Sequence, residues 1–421
     1  MNKKIIPIEI LNTATYLTYD LIDRVVPDNE FQILRSFLKN MCSLLDDIIE
    51  RANDNMPIVG YHFAFPAEIF RCFDIAQVCF EGTSYLFSAL FPDGTEYFYD
   101  KMSGFGHPYH TCTSQKGVMG MALDSLFDFD VIATQTAPCD NGVSSYQFFS
   151  EYLNIPLIIG DMPYYQGERD YEYFSRELQR IISELGHIID QKPDFDKLKQ
   201  AVKYNTEAHE YFIEINQMRK IIPCPVESMA NPIITAAHAF MAGTKQYVNF
   251  FKETNNIIKK RVKNGIGRAG TENFRSVWPY MSLFFDFSFY EWLDRDIGLS
   301  QIIDIFNYYF FDPIYSKNID DIFLGLSMQR CEYPMIRQGK GFVDQMIDDY
   351  VWAAKEFSAD CAILTEHIGC KQLAGGTQLL KEALRDEDIP MCVIEVDVGD
   401  KRFTSLETFK HEISEFTKTL L

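Results

Sequence analysis

The sequence predicts an α/β protein with two Rossmann-like or flavodoxin-like domains, each built on a parallel sheet. Short, continuous apolar runs alternate with helical patterns near both ends of the chain, as expected for parallel strands that helices cover on both faces. The length of 421 residues allows two or three domains with cores of their own. A hydrophobic content of 47% excludes a disordered chain.

The first predicted domain spans residues 1–167. Its strand candidates are 58–65, 77–82, 131–138 and 156–163. The spacing of apolar residues between them predicts helices at 66–76, 115–128 and 144–153. Pro66 suits the first turn of the helix that it begins. This alternation favours a parallel sheet over an antiparallel one.

A helical segment, residues 168–232, connects the two predicted domains. Two long amphipathic helices are predicted at 170–190 and 196–220, broken at QKPDF. Three prolines within 221–232 mark the passage to the second domain, residues 233–421. Its strand candidates are 278–287, 303–311, 361–369 and 391–398, and its clearest helix is 341–359.

The net charge of −21 and the absence of long apolar runs limit the possible functions. A protein that neutralises nucleic-acid phosphates needs a basic surface, so general nucleic-acid binding is not expected. No apolar run approaches the roughly 18–20 residues that span a bilayer, and no segment resembles a signal peptide. We therefore expect no membrane partner and a cytoplasmic location. The ten cysteines should then be thiols or metal ligands.

Residues 252–275 carry seven basic and two acidic side chains in an otherwise acidic chain. The stretch is either a solvated helix face or a site for a phosphate-bearing ligand. The candidate cofactor-binding residues are Lys259, Lys260, Arg261 and Arg268. The stretch contains GIGRAG, but a predicted helix precedes it and a strand follows, so a glycine turn is favoured over a dinucleotide-binding fingerprint. The chain has no P-loop for ATP.

Three cysteines are placed where ligands bind. Cys139 and Cys370 follow the carboxyl ends of predicted strands, and Cys112 lies in a loop that begins a helix. Ligands of open α/β sheets bind beyond the carboxyl ends of strands, and a helix amino terminus favours a thiolate. The three thiols can converge in one crevice, where they suit zinc or an iron–sulfur cluster. The alternative for each is a small buried hydrophobic side chain.

The order and spacing of several segments resemble the 2-hydroxyacyl-CoA dehydratase and benzoyl-CoA reductase family over most of the chain. Residues 59–82 are similar to its opening strand, Pro-x-Glu helix and second strand. The motifs HTC, APCD and HIGC resemble its three cluster cysteines, at positions 112, 139 and 370. The tail at 389–416, with its D-x-G-D turn, is the most family-like segment.

The resemblance implies a [4Fe-4S] cluster that Cys112, Cys139 and Cys370 hold between the two domains. Three protein ligands leave one iron open, which is typical of a catalytic rather than a structural metal site. The implied protein is an iron–sulfur subunit of an oxygen-sensitive dehydratase. Its implied partners are a second related subunit, an ATP-dependent iron–sulfur activator protein and an acyl-CoA substrate.

The implied reaction removes water from a 2-hydroxyacyl-CoA and gives a 2-enoyl-CoA through a ketyl radical anion. Some family members carry a serine before the Pro-x-Glu motif, where this chain has Tyr61, His62 and Phe63. The candidate catalytic residues are His62, Glu68 and Glu81. Glu68 or Glu81 is the candidate carboxylate that acts on the substrate hydroxyl or proton. The alternative for Glu68 is a stabilising charge in the first turn of a helix.

Three other functions stay open at this point. One is a subunit of a benzoyl-CoA-type or double-cubane-cluster reductase, with Cys72, Cys79 or Cys331 as added ligands. Another is a partner subunit without catalysis, which relays electrons or has a structural role. The last is a zinc protein that uses the same three thiols.

Overall fold

Two parallel four-stranded sheets form the framework of the protein. The computed structural model describes residues 3–91, 93–267, 270–341 and 343–421. Every strand pair in the two sheets is parallel. The predicted α/β class, with two Rossmann-like or flavodoxin-like sheets, is confirmed. Arg268 lies outside the described residues.

A helical hairpin precedes the first sheet. Helices α1 (Ile6–Val25) and α2 (Gln32–Asn53) pack against each other, and α2 also packs against helices from later in the chain. Leu38, Met41 and Leu45 recur at helical spacing on the buried face of α2. The hairpin is therefore held by its apolar face against the rest of the fold.

The first sheet has the strand order β2-β1-β3-β4. Its strands are β1 (Ile58–Tyr61), β2 (Ala76–Cys79), β3 (Val131–Gln135) and β4 (Leu157–Gly160). Val59 lies opposite Gln77 on one side and opposite Val131 on the other. All residues of β1, β2 and β3 are buried, which explains the continuous apolar runs in the sequence.

All four strands end before their predicted boundaries. Strand β1 stops at Tyr61 rather than at residue 65 because the chain turns there, and the N–H of Phe65 donates to the carbonyl of His62. A short 3-10 helix, Ala67–Cys72, replaces the longer helix predicted at 66–76, since β2 already begins at Ala76. The residues that follow the strand ends are therefore not paired in the sheet and can line the site described below.

Helices cover the sheet and continue into a helical layer. They are α3 (Phe80–Leu90), α4 (Glu96–Gly104), α5 (Thr113–Leu123), α6 (Asp140–Leu153), α7 (Glu168–Ile188), α8 (Phe195–Met218), α9 (Ala230–Met241) and α10 (Lys245–Lys263). The break between α7 and α8 ends at Asp194, whose side chain accepts the N–H groups of Asp196 and Lys197. Helix α10 packs against both α8 and α2. The domain boundaries at residues 167 and 232 stay a prediction.

The second sheet has the order β6-β5-β7-β8. Its strands are β5 (Phe274–Trp278), β6 (Leu299–Asp304), β7 (Cys361–His367) and β8 (Met391–Val396). The helices around it are α11 (Ser288–Trp292), α12 (Ile319–Cys331), α13 (Ile336–Lys340), α14 (Val343–Glu356), α15 (Lys371–Asp386) and α16 (Leu406–Lys418). No helix within the described ranges is both long and apolar enough to cross a lipid bilayer.

Two strand predictions in this half were wrong in position. The predicted strands 278–287 and 303–311 begin where the observed strands β5 and β6 end. The apolar run after β5 is buried without forming a strand, since Leu283 and Phe285 pack into the core from irregular chain. Burial rather than strand pairing therefore explains this apolar run.

Gly120 generates a prediction about the contact between α4 and α5. A Cβ at Gly120 would lie 2.4 Å from the carbonyl oxygen of Phe98 and 2.8 Å from its Cα. Gly120→Ala must therefore push α4 away from α5. We expect the free energy of unfolding, measured by urea titration, to fall by about 1–3 kcal/mol, as at other overpacked sites.

Gly104→Ala is the matched control for this variant. Nothing lies within 4 Å of a Cβ at that helical position. Because alanine forms helices better than glycine, Gly104→Ala should be at least as stable as the parent protein. Equal stability of the two variants would contradict the close packing of α4 on α5.

Candidate functional site

A cavity of about 410 Å³ lies where the two sheets face each other. It is lined by residues that follow the carboxyl ends of β1, β3, β5 and β7, among them His62, Pro138, Tyr280 and Ile368. These are the two central strands of each sheet, where the strand order reverses. Open α/β sheets bind ligands at this position.

All three candidate cysteines line this cavity, which we call the thiol cavity. Each one directly precedes a helix: Cys112 precedes α5, Cys139 precedes α6 and Cys370 precedes α15. Three helix amino termini therefore carry partial positive charge at the sulfur atoms. This arrangement stabilises thiolates, which are the metal-binding form of cysteine.

The loop that carries Cys370 contacts the loops of both other cysteines. Gly369 lies so close to Cys112 that a Cβ on the glycine would be 2.6 Å from the backbone nitrogen of Cys112. On the other side, Lys371 forms a 2.5 Å ion pair with Asp140, and the Gln372 side chain donates to the carbonyl of Pro138 at 2.7 Å. Contacts from this loop and from the first turn of α15 thus link the three segments that carry the cysteines.

The D-x-G-D turn after β8 holds the amino end of α5. The carboxylate of Asp397 accepts the N–H groups of Gly399 and Asp400 at 3.0 and 3.1 Å. The same carboxylate accepts the hydroxyl of Thr113 at 2.6 Å. Since Thr113 follows Cys112 directly, the family-like tail fixes the position of a thiol in the other half of the chain.

The three thiols differ in acidity. Burial raises the pKa of Cys139 to about 12, and burial also raises the pKa of Cys370. Burial opposes ionisation of Cys112 as well, but the charge of the nearby His367 and the contact with the Ser114 hydroxyl lower its pKa to about 7. Without a cation in the cavity, Cys139 and Cys370 are therefore neutral thiols at neutral pH.

The carboxylate of Glu81 lies behind the thiol cavity in a buried network. It accepts the Phe63 N–H at 3.0 Å, the Gln115 side chain at 3.0 Å and the Tyr146 hydroxyl at 3.2 Å. His62 lines the cavity beside it, with Nε2 3.8 Å from Glu81 Oε1. The structure therefore places His62 in the thiol cavity with the three cysteines, and Glu81 next to His62 but outside the lining of that cavity.

The histidine is neutral and its tautomer follows from its contacts. Burial lowers the pKa of His62, ahead of the opposing effect of the Glu81 charge. Its Nδ1 accepts the N–H of Ala64 at 3.1 Å, so the proton resides on Nε2. His62 thus presents an N–H donor toward the cavity wall.

Glu68 lies in a different environment. It occupies the first turn of the 3-10 helix, but it is 3% exposed and pairs with Arg330 at 3.2 Å. The pair lines a separate cavity of about 50 Å³, together with His209 and His238. Glu68 therefore balances a buried guanidinium and does not line the thiol cavity.

The basic stretch is also apart from the cysteines. Lys259 pairs with Glu214 at 2.6 Å, Arg261 pairs with Glu227, and Lys260 is exposed at the end of α10. Arg261 lines a cavity of about 340 Å³ that shares no described residue with the thiol cavity. Two of the cations thus already have carboxylate partners within the chain.

Sequence reasoning missed several residues around Cys112. The Ser114 hydroxyl lies 3.1 Å from its sulfur and the Tyr85 hydroxyl lies 3.8 Å from it. Local spacing offered a signal for both, because Ser114 is two residues after the cysteine and Tyr85 is one helical turn after Glu81. His367 begins the HIGC motif, but nothing in the sequence connects it with Cys112, which is far away along the chain.

The donor set consists of three soft ligands around one cavity. Within the described part of the chain, no three His, Cys, Asp or Glu side chains are grouped to hold a single ion. Cys112, Cys139 and Cys370 nevertheless line the same cavity of about 410 Å³, each at the amino end of a different helix. Thiolates are suitable ligands for zinc and for an iron–sulfur cluster.

Two facing parallel sheets with three thiols in the crevice define an α/β protein with a cysteine-lined ligand site. A family model described as 2-hydroxyglutaryl-CoA dehydratase, D-component, matches residues 62–420. The chain belongs to this family, which confirms the resemblance and makes the chain a component of an acyl-CoA dehydratase. The matched range contains all three cysteines and leaves out the α1–α2 hairpin. A comparison with curated proteins finds no match.

The acidity of the thiols predicts an order of reactivity in metal-free protein. Only thiolates react with iodoacetamide, and the pKa is about 7 for Cys112 but about 12 for Cys139. Raising the pH from about 6 to about 8 should increase the labelling rate of Cys112 by about tenfold, because its thiol loses its proton over that range. Peptide mass spectrometry should find Cys139 unlabelled.

His367→Ala provides the comparison. The variant loses the positive charge that favours the Cys112 thiolate, so its labelling curve should move to higher pH. An unchanged curve in this variant, or labelling of Cys139 before Cys112, would contradict the electrostatic account.

Proposed function

We propose that the protein is the iron–sulfur subunit of an oxygen-sensitive 2-hydroxyacyl-CoA dehydratase. The enzyme eliminates water from a 2-hydroxyacyl-CoA by a ketyl-radical mechanism and gives the 2-enoyl-CoA. The convergence of Cys112, Cys139 and Cys370 in one cavity is the observation that carries this proposal. Family membership supplies the reaction class.

The three cysteines hold a [4Fe-4S] cluster in this proposal. When bound, the cluster supplies one-electron chemistry and a Lewis-acidic iron that lacks a cysteine ligand. The chain stabilises the anionic sulfur atoms with three helix amino termini. Once Cys112 is a thiolate, the hydroxyls of Ser114 and Tyr85 donate to its sulfur.

His62 and Glu81 are the groups that handle protons and orient the substrate. The Nε2–H of His62 is a donor for a substrate oxygen in the cavity, beside Cys139. Two distances support this placement: a Cβ on Gly142 would lie 2.9 Å from His62 Nε2 and 3.8 Å from Cys139 Sγ. The Glu81 carboxylate lies behind His62, 3.8 Å from its Nε2, and lines an adjoining apolar cavity, from which it accepts a proton from the substrate.

The proposed partners follow from the family. Its description names a component of a larger enzyme, which supports a second related subunit. An ATP-dependent iron–sulfur activator supplies the electron, in keeping with the absence of a P-loop in this sequence. We place the protein in the cytoplasm. Lys259, Lys260, Arg261 and Arg268 stay a predicted contact for phosphate groups or a partner.

The reductase alternative has less support. A second cubane would need further thiols near the first site. Cys72, Cys79 and Cys331 are buried and do not line the thiol cavity. A single cluster therefore fits the described residues better than a double one.

Iron analysis tests the ligand assignment. Anaerobically purified protein should contain about four irons and four sulfides per chain. Cys139→Ser and Cys370→Ser should each lose most of this iron, because serine is a poor ligand for soft metals. The control is Cys392→Ser, a half-buried cysteine in β8 outside the cavity, which should keep its iron. Full iron content in Cys139→Ser would remove the basis of the assignment.

Glu81→Gln tests the proton-handling role in the anaerobic complex with the partner subunit and activator. Gln is close to Glu in size but cannot take up the proton, so we expect kcat to fall by about 10²–10⁴-fold with the iron content unchanged. The comparison is Glu68→Gln, which changes an equally buried carboxylate away from the cysteines. It should lower stability more than kcat. A larger loss of kcat in Glu68→Gln would refute the role of Glu81.

A further inference from the structure

A second cavity, of about 170 Å³, adjoins the thiol cavity. We call it the apolar cavity. Phe63, Tyr85 and Met281 line both cavities and form their common wall. The other walls are almost entirely hydrocarbon, from residues such as Leu34, Ala236 and Phe240.

The α1–α2 hairpin builds one side of the apolar cavity. Thr18 from α1 and Leu34, Phe37 and Leu38 from α2 line it. These residues precede the range 62–420 that matches the family. The apolar cavity is therefore completed by a part of the chain outside the family match.

Tyr85 spans the distance between the two cavities. Its hydroxyl lies 3.8 Å from the sulfur of Cys112, and its ring stacks on Phe284 with the centroids 4.6 Å apart. Phe284 lines the apolar cavity. The thiols and the apolar cavity are thus separated by about the length of one tyrosine side chain. A ligand whose reactive end lies at the thiols can extend over this distance into the apolar cavity.

The size and polarity of the apolar cavity indicate its occupant. In another protein, an apolar cavity of about 150 Å³ holds a benzene molecule, so about six carbons fit here. A charged group would lose its hydration without gaining a partner. Glu81 is the charged side chain among the described lining residues, and its negative charge would repel a carboxylate.

We infer that the apolar cavity receives the hydrocarbon tail of the substrate, whose thioester and C2 lie in the thiol cavity. The substrate is then a 2-hydroxyacyl-CoA with an aliphatic or aromatic tail rather than a dicarboxylic one. This inference rests on the proposed function and specifies its substrate class. The nearby 50 Å³ cavity is too small for such a tail, and its Arg330 is already paired with Glu68.

Binding of unreactive acyl-CoA thioesters tests this inference. Hexanoyl-CoA, acetyl-CoA and glutaryl-CoA lack the 2-hydroxyl and are not dehydrated, so calorimetry on the anaerobic complex reads binding alone. Hexanoyl-CoA should bind about a hundredfold more tightly than acetyl-CoA, because four more methylenes are buried. Glutaryl-CoA should bind no more tightly than acetyl-CoA.

Ala236→Leu should fill the apolar cavity. We expect it to weaken hexanoyl-CoA binding by about tenfold and to leave acetyl-CoA binding unchanged. Ala383→Leu is the matched control, a half-buried helical alanine that lines none of the cavities described above, and it should change neither affinity. Leu34→Ala is the second variant. It enlarges the apolar cavity from the hairpin side, so this variant should bind octanoyl-CoA more tightly than hexanoyl-CoA.

The possible outcomes distinguish a failure of the tail assignment from a failure of the proposed dehydratase function. Equal binding of glutaryl-CoA and hexanoyl-CoA would overturn the tail assignment and leave the dehydratase proposal standing. Equal weakening of acetyl-CoA and hexanoyl-CoA by Ala236→Leu would do the same. Failure of every CoA thioester to bind would overturn both.

Discussion

The convergence of strand ends is the constraint on which the site depends. In a parallel sheet all strands end at the same edge, so the loops beyond them must lie together. Here two such edges face each other, and the central strands of each sheet lead into one cavity. Cys139 and Cys370 are separated by more than two hundred residues in the sequence and still share this cavity. Cys112 joins them because its helix, α5, packs between α4 and α6.

Burying three thiolates in one place is costly unless positive charge accompanies them. Burial raises the pKa of Cys139 and of Cys370, which shows how unfavourable their thiolates are without a cation. The chain offsets part of this cost with three helix amino termini and with His367 beside Cys112. A cationic metal group would supply the rest. In the function that we propose, the helix amino termini and His367 prepare the site for a metal group.

Much of the fold could be predicted from the sequence, because buried parallel strands leave continuous apolar runs. A continuous apolar run also predicted a strand at 278–287, but there the aromatic residues are buried in irregular chain and form no strand. Strand placement indicated Cys139 and Cys370, which follow strand ends, and the predicted start of a helix indicated Cys112. The sequence could not separate Glu81 from Glu68: both follow strand-like runs. Only the tertiary contacts join Glu81 to Gln115 of the thiol cavity and Glu68 to Arg330. For the basic stretch at 252–275, the sequence left open a solvated helix face and a phosphate site. It could not show the carboxylate partners of Lys259 and Arg261, because these come from distant segments.

The central claim is that Cys112, Cys139 and Cys370 together hold one iron–sulfur cluster. The most direct measurement is anomalous X-ray diffraction at the iron absorption edge from crystals grown without oxygen. The account predicts iron density inside the thiol cavity, in contact with all three sulfur atoms and with one iron free of cysteine. A cavity without iron, or a single metal ion bound to the same thiols, would contradict it.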